Sequence, residues 1–323
     1  MNITFVTNQD FGGLFANYSA AIEQYTVHHS RCLVGFDCYG YTSDLVMKRV
    51  KNARQEDISS RKKQKEITTT LDSTDILIYD IGYNWDETFH NLKWDWNNRI
   101  KNKFGFVWDV NQSLTTNQDP VITNQPSIYF GLKSCSNARV EFIPSIIDTV
   151  NDLFKNKIKD TQNIILSHST RNRQNKNTES VIKLASYLAN DCDVDIDIIE
   201  NCGYKDCIAR KKKSHIGIDH IHQDYRYYGL SSLENSILGL INFVALQDKD
   251  IELIKKFFGM DFVPWHIVKN EGEAYVEIKK LCNDIPKLQS ERLITMSWFN
   301  QFWDNSIVAS KLIKIMEDYY GLQ

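Results

Sequence analysis

An alternation of short apolar runs with helix-patterned stretches begins at Ile3 and begins again at Asn163, and this doubled series constrains the fold of the 323-residue chain most. In the first series, residues 3–7 (ITFVT) read as a strand, followed by the glycine pair Gly12 and Gly13 and a helical stretch through Ala16, Ala20, Ile22 and Tyr25. Residues 32–36, 75–79 and 104–108 read as further strands, and 127–130 and 140–143 complete this half before a turn at Pro144 and Ser145. After Asp148 the series restarts with a strand at 163–167, a helix at 180–188, a strand at 193–199 and a helix near 204–212. Strands that alternate with helices predict parallel sheets flanked by helices. The length suits about two domains, and the 42% hydrophobic content is enough for two cores. We therefore expect an α/β protein of two Rossmann-like domains, 1–146 and 147–296, that bind ligand in a central cleft at the carboxyl ends of their strands. The tail, 297–323, carries Phe299, Phe302, Trp303, Ile307, Leu312 and Ile315 with few breakers, which predicts one helix over 298–320 packing back toward the first domain.

The segment 214–244, SHIGIDHIHQDYRYYGLSSLENSILGLINFV, carries most of the chemistry. Residues 216–221 alternate as a short strand would, residues 240–246 read as a buried strand, and Leu233, Ile237 and Leu238 recur at helical spacing. Between the first strand and the helix lie Gly229, Leu230, Ser231 and Ser232. Glycine lets a backbone approach a ligand, serine caps helices, and helix N-termini attract phosphate. Glu234 is expected in the first helical turn, where a carboxylate accepts hydrogen bonds from vicinal hydroxyls such as those of a ribose. The same residues also suit an ordinary helix start, because acidic side chains favour the positive end of the dipole.

Net charge −3 gives no global attraction to nucleic acid, although RKKQK at 61–65 and RKKK at 210–213 are locally basic. The first run lies in a stretch of mixed charge expected to be a polar helix or a loop, and the second suits a helix C-terminus. Seven cysteines scattered at 32, 38, 135, 192, 202, 207 and 282 are expected to be reduced and unbridged, and the Cys202/Cys207 spacing lacks the second ligand pair of a zinc site. We expect neither a metal nor a resident cofactor. No apolar stretch approaches membrane-spanning length, and the opening run is too short for a signal peptide, so a cytoplasmic protein without membrane insertion is expected.

Taken together these segments resemble a GT-B glycosyltransferase, in particular the large retaining, glycosyltransferase family 4-like group that includes glycogen synthase-like and mannosyltransferase-like enzymes. Three stretches carry the likeness. NIILSHSTRNRQNKNTE, 163–179, resembles the strand and loop that set an arginine and a lysine against the donor diphosphate, with Arg173 and Lys176 at those positions and His168 ending the strand. In 214–244, Glu234 matches the glutamate that binds the nucleotide ribose. EFIPSIID, 141–148, resembles the interdomain link. Many members carry a second glutamate that contacts the transferred sugar. Arg226 stands at that position here, and Asp224, Tyr225 or the backbone at 228–230 are candidate substitutes.

The resemblance implies a hexosyl- or pentosyltransferase that moves a sugar from a nucleotide-sugar, a UDP-sugar by preference, to a hydroxyl of a glycan, a small molecule or modified DNA. It further implies metal independence and retention. Arg173 and Lys176 would stabilise the departing diphosphate. Gly12, Gly13, His168 and 229–232 would line the donor site, and Asp109, or Asp80, standing at the first sheet's carboxyl edge, would serve the acceptor hydroxyl. Tyr83, Trp85, Trp94, Trp96 and Trp108 read either as stacking platforms or as core. Two other functions compete. One is a phage-type DNA glycosyltransferase that grips phosphates with Lys62–Lys65 and Lys211–Lys213. The other is a non-catalytic relative that binds a nucleotide or glycan.

Overall fold

The structure is a computed structural model that describes residues 1–10, 13–36, 45–51, 54–56, 61–81, 83, 85, 94–108, 119–135, 139–147, 152–154, 163–221 and 227–322. The chain divides into two compact units, Met1–Ile146 with Asn305–Gln323, and Ile147–Asp304. Each is a parallel α/β layer.

Among the described residues, the first unit builds an eight-stranded sheet in the order β4-β3-β2-β1-β5-β6-β7-β8. Its strands are β1 Asn2–Gln9, β2 His29–Phe36, β3 Leu45–Lys51, β4 Arg54–Glu56, β5 Ile76–Asp80, β6 Asn102–Val107, β7 Val121–Thr123 and β8 Val140–Phe142. All neighbours pair parallel except β3 and β4. β5 is buried at every position, as a strand covered on both faces must be, and its sequence ILIYD is accordingly almost wholly apolar. β1 lies between β2 and β5, so the winding reverses there.

Helices α1 Leu14–Tyr25, α2 Arg61–Asp72 and α3 Pro126–Cys135 belong to this unit. So does the C-terminal helix Asn305–Tyr320, which packs against α1. Its end is fixed by the Tyr320 hydroxyl, which accepts from the Lys103 amide at 2.7 Å and donates to the Lys103 carbonyl at 2.5 Å. Residues 127–130 are helical rather than extended, and the sheet position they were expected to fill is taken by the buried three-residue strand Val121–Thr123. The mixed-charge stretch expected as a polar helix or loop supplies β3, β4 and α2. Trp85 and Trp94 are core, their indoles donating to the Asp80 carbonyl and to Asp72 Oδ1 at 2.8 Å each. Trp108 packs on Phe15 and Phe106.

The second unit has five parallel strands among the described residues, ordered β10-β9-β11-β12-β13. They are β9 Ile164–Ser169, β10 Val194–Ile199, β11 Ile216–His220, β12 Ile241–Val244 and β13 His266–Ile267. The helices are α4 Thr178–Asp191, α5 Tyr204–Lys211, α6 Leu230–Ile237, α7 Asp248–Phe258, α8 Glu271–Cys282 and α9 Ile285–Phe302. Leu166, Ile216, Ile218 and Phe243 from the sheet meet Val181, Leu184 and Leu188 of α4 and Ile278 of α8 in one core. A second packing centre stacks Tyr228, Trp265, Trp298 and Trp303, with ring centroids 5.6–5.8 Å apart. Trp303 also explains why the helix expected over 298–320 is two helices. Its indole is 2% exposed in this aromatic cluster and its backbone leaves the helical region at ψ 70, so α9 stops at Phe302 and a new helix begins at Asn305. Among the described residues, no helix is long and apolar enough to cross a membrane.

Candidate functional site

The second sheet winds outward from β9 to β10 on one side and to β11 on the other, so the switch point at which sheets of this kind form a ligand crevice lies at the carboxyl ends of β9 and β11. The residues at those ends are Ser169, Thr170, Asp219 and His220, and the loops leaving them carry Arg173, Lys176 and Gly229.

Asp219 organises the crevice. Its side chain is fully buried and takes three donors: the Lys176 ammonium on Oδ1, and the Gly229 amide and the Ser232 hydroxyl on Oδ2, each at 2.6 Å. Burial alone would raise its carboxyl, but the Lys176 charge, with His220 and the hydrogen bonds from Lys176 and Ser232, outweighs it and holds the group well below the usual carboxylate range. Burial likewise disfavours the Lys176 ammonium, yet Asp219, with Tyr227 and Glu234 assisting, keeps it charged far above neutrality. Gly229 is the N-cap of α6 and offers no side-chain cap. A Cβ there would stand 2.9 Å from Lys176 Nζ and 3.3 Å from both Asp219 oxygens, so the glycine is needed for close approach and not for an unusual backbone angle.

One turn further along α6 sits a second buried ion pair. Lys211 Nζ, from the end of α5, donates to Glu234 Oε2 at 2.6 Å and to Ser231 Oγ at 2.7 Å, and the two charged side chains are only 1% and 9% exposed. Ser231 Oγ also meets Ser169 Oγ at 3.0 Å. The helix starts at Leu230, so Glu234 is its fifth residue and not a member of the first turn, which holds no acidic side chain. Neither serine caps the helix end. Ser232 serves Asp219 and Ser231 serves Lys211 and Ser169.

Arg173 lies outside these buried pairs. Its guanidinium forks onto Glu200 through Nε and Nη2, both at 2.9 Å, and reaches Glu179 at 2.6 Å, while about half exposed. Hydrogen bonds to Glu200 and then Glu179 keep it firmly protonated. His168 has no face toward solvent. It is fully buried, its Nδ1–H donates to the Ile218 carbonyl at 2.9 Å, and Nε2 therefore accepts from the Thr178 hydroxyl at 3.0 Å. It joins β9, β11 and α4 from inside.

In the first unit, Gly13 has φ 72, a left-handed turn that a side chain would strain, and its amide bonds the Asp10 carbonyl at 3.2 Å. Asp10, which sequence reasoning passed over, caps α1, accepting from the amides of Phe15 and Ala16 at 2.9 Å each. Its position between a strand and a glycine pair that opens a helix is the signal that marks it. Gly12, Asp109, Asp224, Tyr225 and Arg226 lie outside the described residues.

Two buried groups give the units opposite pH responses. Burial pushes His168 down to about 4 from its usual 6.5, so between those values the unfolded chain takes a proton the folded one refuses, and stability falls as pH falls. Burial pushes Asp10 up to about 6 from 3.8, against the pull of its backbone hydrogen bonds, so its contribution is full below 3.8 and is lost as pH rises to 6. Each shift corresponds to roughly 3 kcal/mol. Hydrogen exchange at pH 6.5 and 4.5, corrected for intrinsic rates, should show β9 and β11 losing protection toward acid while β1 and α1 gain it. Equal responses in both units would refute the assignment.

No family model matches the sequence, and no curated protein matches it. Solved structures do. A sucrose-phosphate synthase from Thermosynechococcus elongatus is 8% identical with a TM-score of 0.64, covering 100% of each chain. The catalytic domain of starch synthase IV from Arabidopsis thaliana, bound to ADP and acarbose, is 10% identical with a TM-score of 0.61, over 98% of this chain and 99% of that one. An alpha-glucosyltransferase in complex with UDP and a 13-mer DNA containing an HMU base is 13% identical with a TM-score of 0.60, over 98% and 99%. The fold is that of the GT-B glycosyltransferases, two Rossmann-like α/β domains.

Proposed function

We propose that the protein is a nucleotide-sugar-dependent glycosyltransferase, a retaining hexosyl- or pentosyltransferase that needs no metal and prefers a UDP-sugar donor. One observation carries the reading: Lys176, the uncapped start of α6 and Glu234 converge at the carboxyl ends of β9 and β11. A helix N-terminus and a fixed ammonium form a diphosphate site, and a carboxylate one turn away suits the ribose hydroxyls. As the glycosidic bond to the donor breaks, negative charge grows on the departing diphosphate. Lys176 and the Leu230 and Ser231 amides stabilise that charge more in the transition state than in the ground state. In the retaining mechanism the departing phosphate takes the acceptor proton, and Asp109 orients the acceptor hydroxyl. His168 serves this site by fixing β9 against β11, and in the first unit Gly13 turns the chain into α1.

Arg173 completes the donor site by exchanging Glu179 and Glu200 for the diphosphate. R173A should weaken UDP binding and donor turnover about tenfold to a hundredfold, as expected for one lost charge-assisted contact of roughly 1.5–3 kcal/mol. It should leave stability essentially unchanged, because its ion pairs are exposed and screened by solvent. Calorimetry with UDP, ADP and GDP, followed by an assay of UDP-sugar hydrolysis, tests the first statement, and urea unfolding of R173A tests the second. Unchanged UDP affinity in R173A would leave the arginine on its carboxylates. Binding without turnover across many sugars would favour the non-catalytic reading. DNA as acceptor has less support, because within RKKK Lys211 is buried on Glu234 and Arg210 is bonded to Asp197.

A further inference from the structure

The lysine at position 211 belongs to no part of the donor chemistry just described, yet it is among the most completely buried polar groups of the chain, at 1% exposure. Burying an ammonium costs free energy unless charge and hydrogen bonds compensate it, and both of its partners stand on α6. It bonds Glu234 at Oε2 only. Among the described residues, no group bonds Oε1, the other carboxylate oxygen. The ammonium thus fixes the carboxylate's rotamer through one oxygen and leaves the second to accept from a ligand. The same ammonium fills a lone pair of Ser231 Oγ, so that hydroxyl and the carboxylate are held by one point in the core.

We propose that Lys211 is a positioning residue that sets the preference of the site for a ribonucleotide over a 2′-deoxyribonucleotide, acting through Glu234. The inference rests on the donor-site reading above. Without the ammonium, Glu234 has no partner among the described residues, and its Oε1 is no longer presented in one direction. The diphosphate end of the site rests on Lys176 and the start of α6; Lys211 reaches that end only at the Ser231 hydroxyl and makes no bond to Asp219, which holds Lys176 and the Gly229 amide.

The test compares binding of UDP, 2′-deoxy-UDP and inorganic pyrophosphate to the full chain by calorimetry. The wild type should bind UDP roughly tenfold or more tightly than 2′-deoxy-UDP, the scale of a hydrogen bond to a charged acceptor. In K211M that ratio should fall to within about threefold of unity, with pyrophosphate affinity retained within about threefold, both scales far below the loss of a charged contact. A loss of general structural integrity would lower all three affinities together and leave the ratio intact. A folded K211M that keeps the full ratio overturns the proposal. If K211M does not fold, S231A removes only the hydroxyl that anchors the ammonium. It should lower the ratio about threefold, because the ammonium keeps its bond to Glu234 and loses one of its two acceptors, and an unchanged ratio there overturns the proposal equally. A wild type that binds neither UDP nor pyrophosphate refutes the nucleotide reading itself. A wild type that binds both nucleotides equally refutes the role of Glu234, and with it that of Lys211.

Discussion

Asp219→Ala is expected to destabilise the unit Ile147–Asp304 by about 3–5 kcal/mol, because it strands the Lys176 ammonium, 17% exposed, without its counter-charge. The cost divides into parts that a second variant separates. Replacing both partners, as in K176M/D219L, removes the stranded charge and should recover most of the ion-pair cost. It cannot recover the acceptor that Gly229 and Ser232 share, so a deficit of about 1–3 kcal/mol should remain. Urea unfolding, with hydrogen exchange read at the amides of β9 and β11, measures both values. A double variant no more stable than D219A would mean that the hydrogen bonds, not the charge pair, hold the crevice. Neither variant should bind a nucleoside diphosphate. In D219A the helix start loses the group that places it, and in the double variant the diphosphate loses its cation.

How far this site was legible in the sequence follows from the range of its interactions. The strand series was readable because parallel strands buried on both faces must be apolar runs, as in ILIYD and NIILS. The pieces that were misread lack that signature. Val121–Thr123 is too short to stand out beside the apolar helix 126–135, β13 is two residues long, and β4 is the wholly polar Arg54–Glu56. Lys176 and Glu234 stand out in the sequence because each sits in a local pattern, a loop after a strand and a helix after a glycine. Their partners do not, because Asp219 is 43 residues from Lys176 and Lys211 is 23 from Glu234, and only the fold brings them together. Lys211 did leave one trace. Tyr204, Cys207 and Ile208 stand at i, i+3 and i+4, which puts position 211 on the same inward face of α5, although it falls inside a run that reads as solvated charge.

Glu234→Ala shows what that missing partner does to a forecast. A carboxylate in the first turn of a helix contributes about 1 kcal/mol through the dipole, and the effect fades beyond that turn. Since α6 begins at Leu230, Glu234 is past the region where the dipole acts, and on that account its removal would be nearly silent for folding. Its bond to Lys211 reverses the expectation. E234A leaves a 1%-exposed ammonium with Ser231 Oγ as its one hydrogen-bond partner among the described residues, and the unit should lose about 3–5 kcal/mol. Nucleotide affinity measured on such a protein confounds lost contact with lost structure. The pair E234A/K211M separates them: removing the stranded charge should return stability to within about 1–2 kcal/mol of wild type, because the two substitutions are strongly coupled. UDP affinity in the double variant should stay as low as in E234A, since the ribose acceptor is gone in both. Chemical denaturation and calorimetry on the two proteins measure these outcomes. A cost of 1 kcal/mol or less for E234A would mean that Lys211 swings out to water when its partner is lost. A double variant that regains UDP affinity along with stability would mean that Glu234 holds the fold and not the nucleotide.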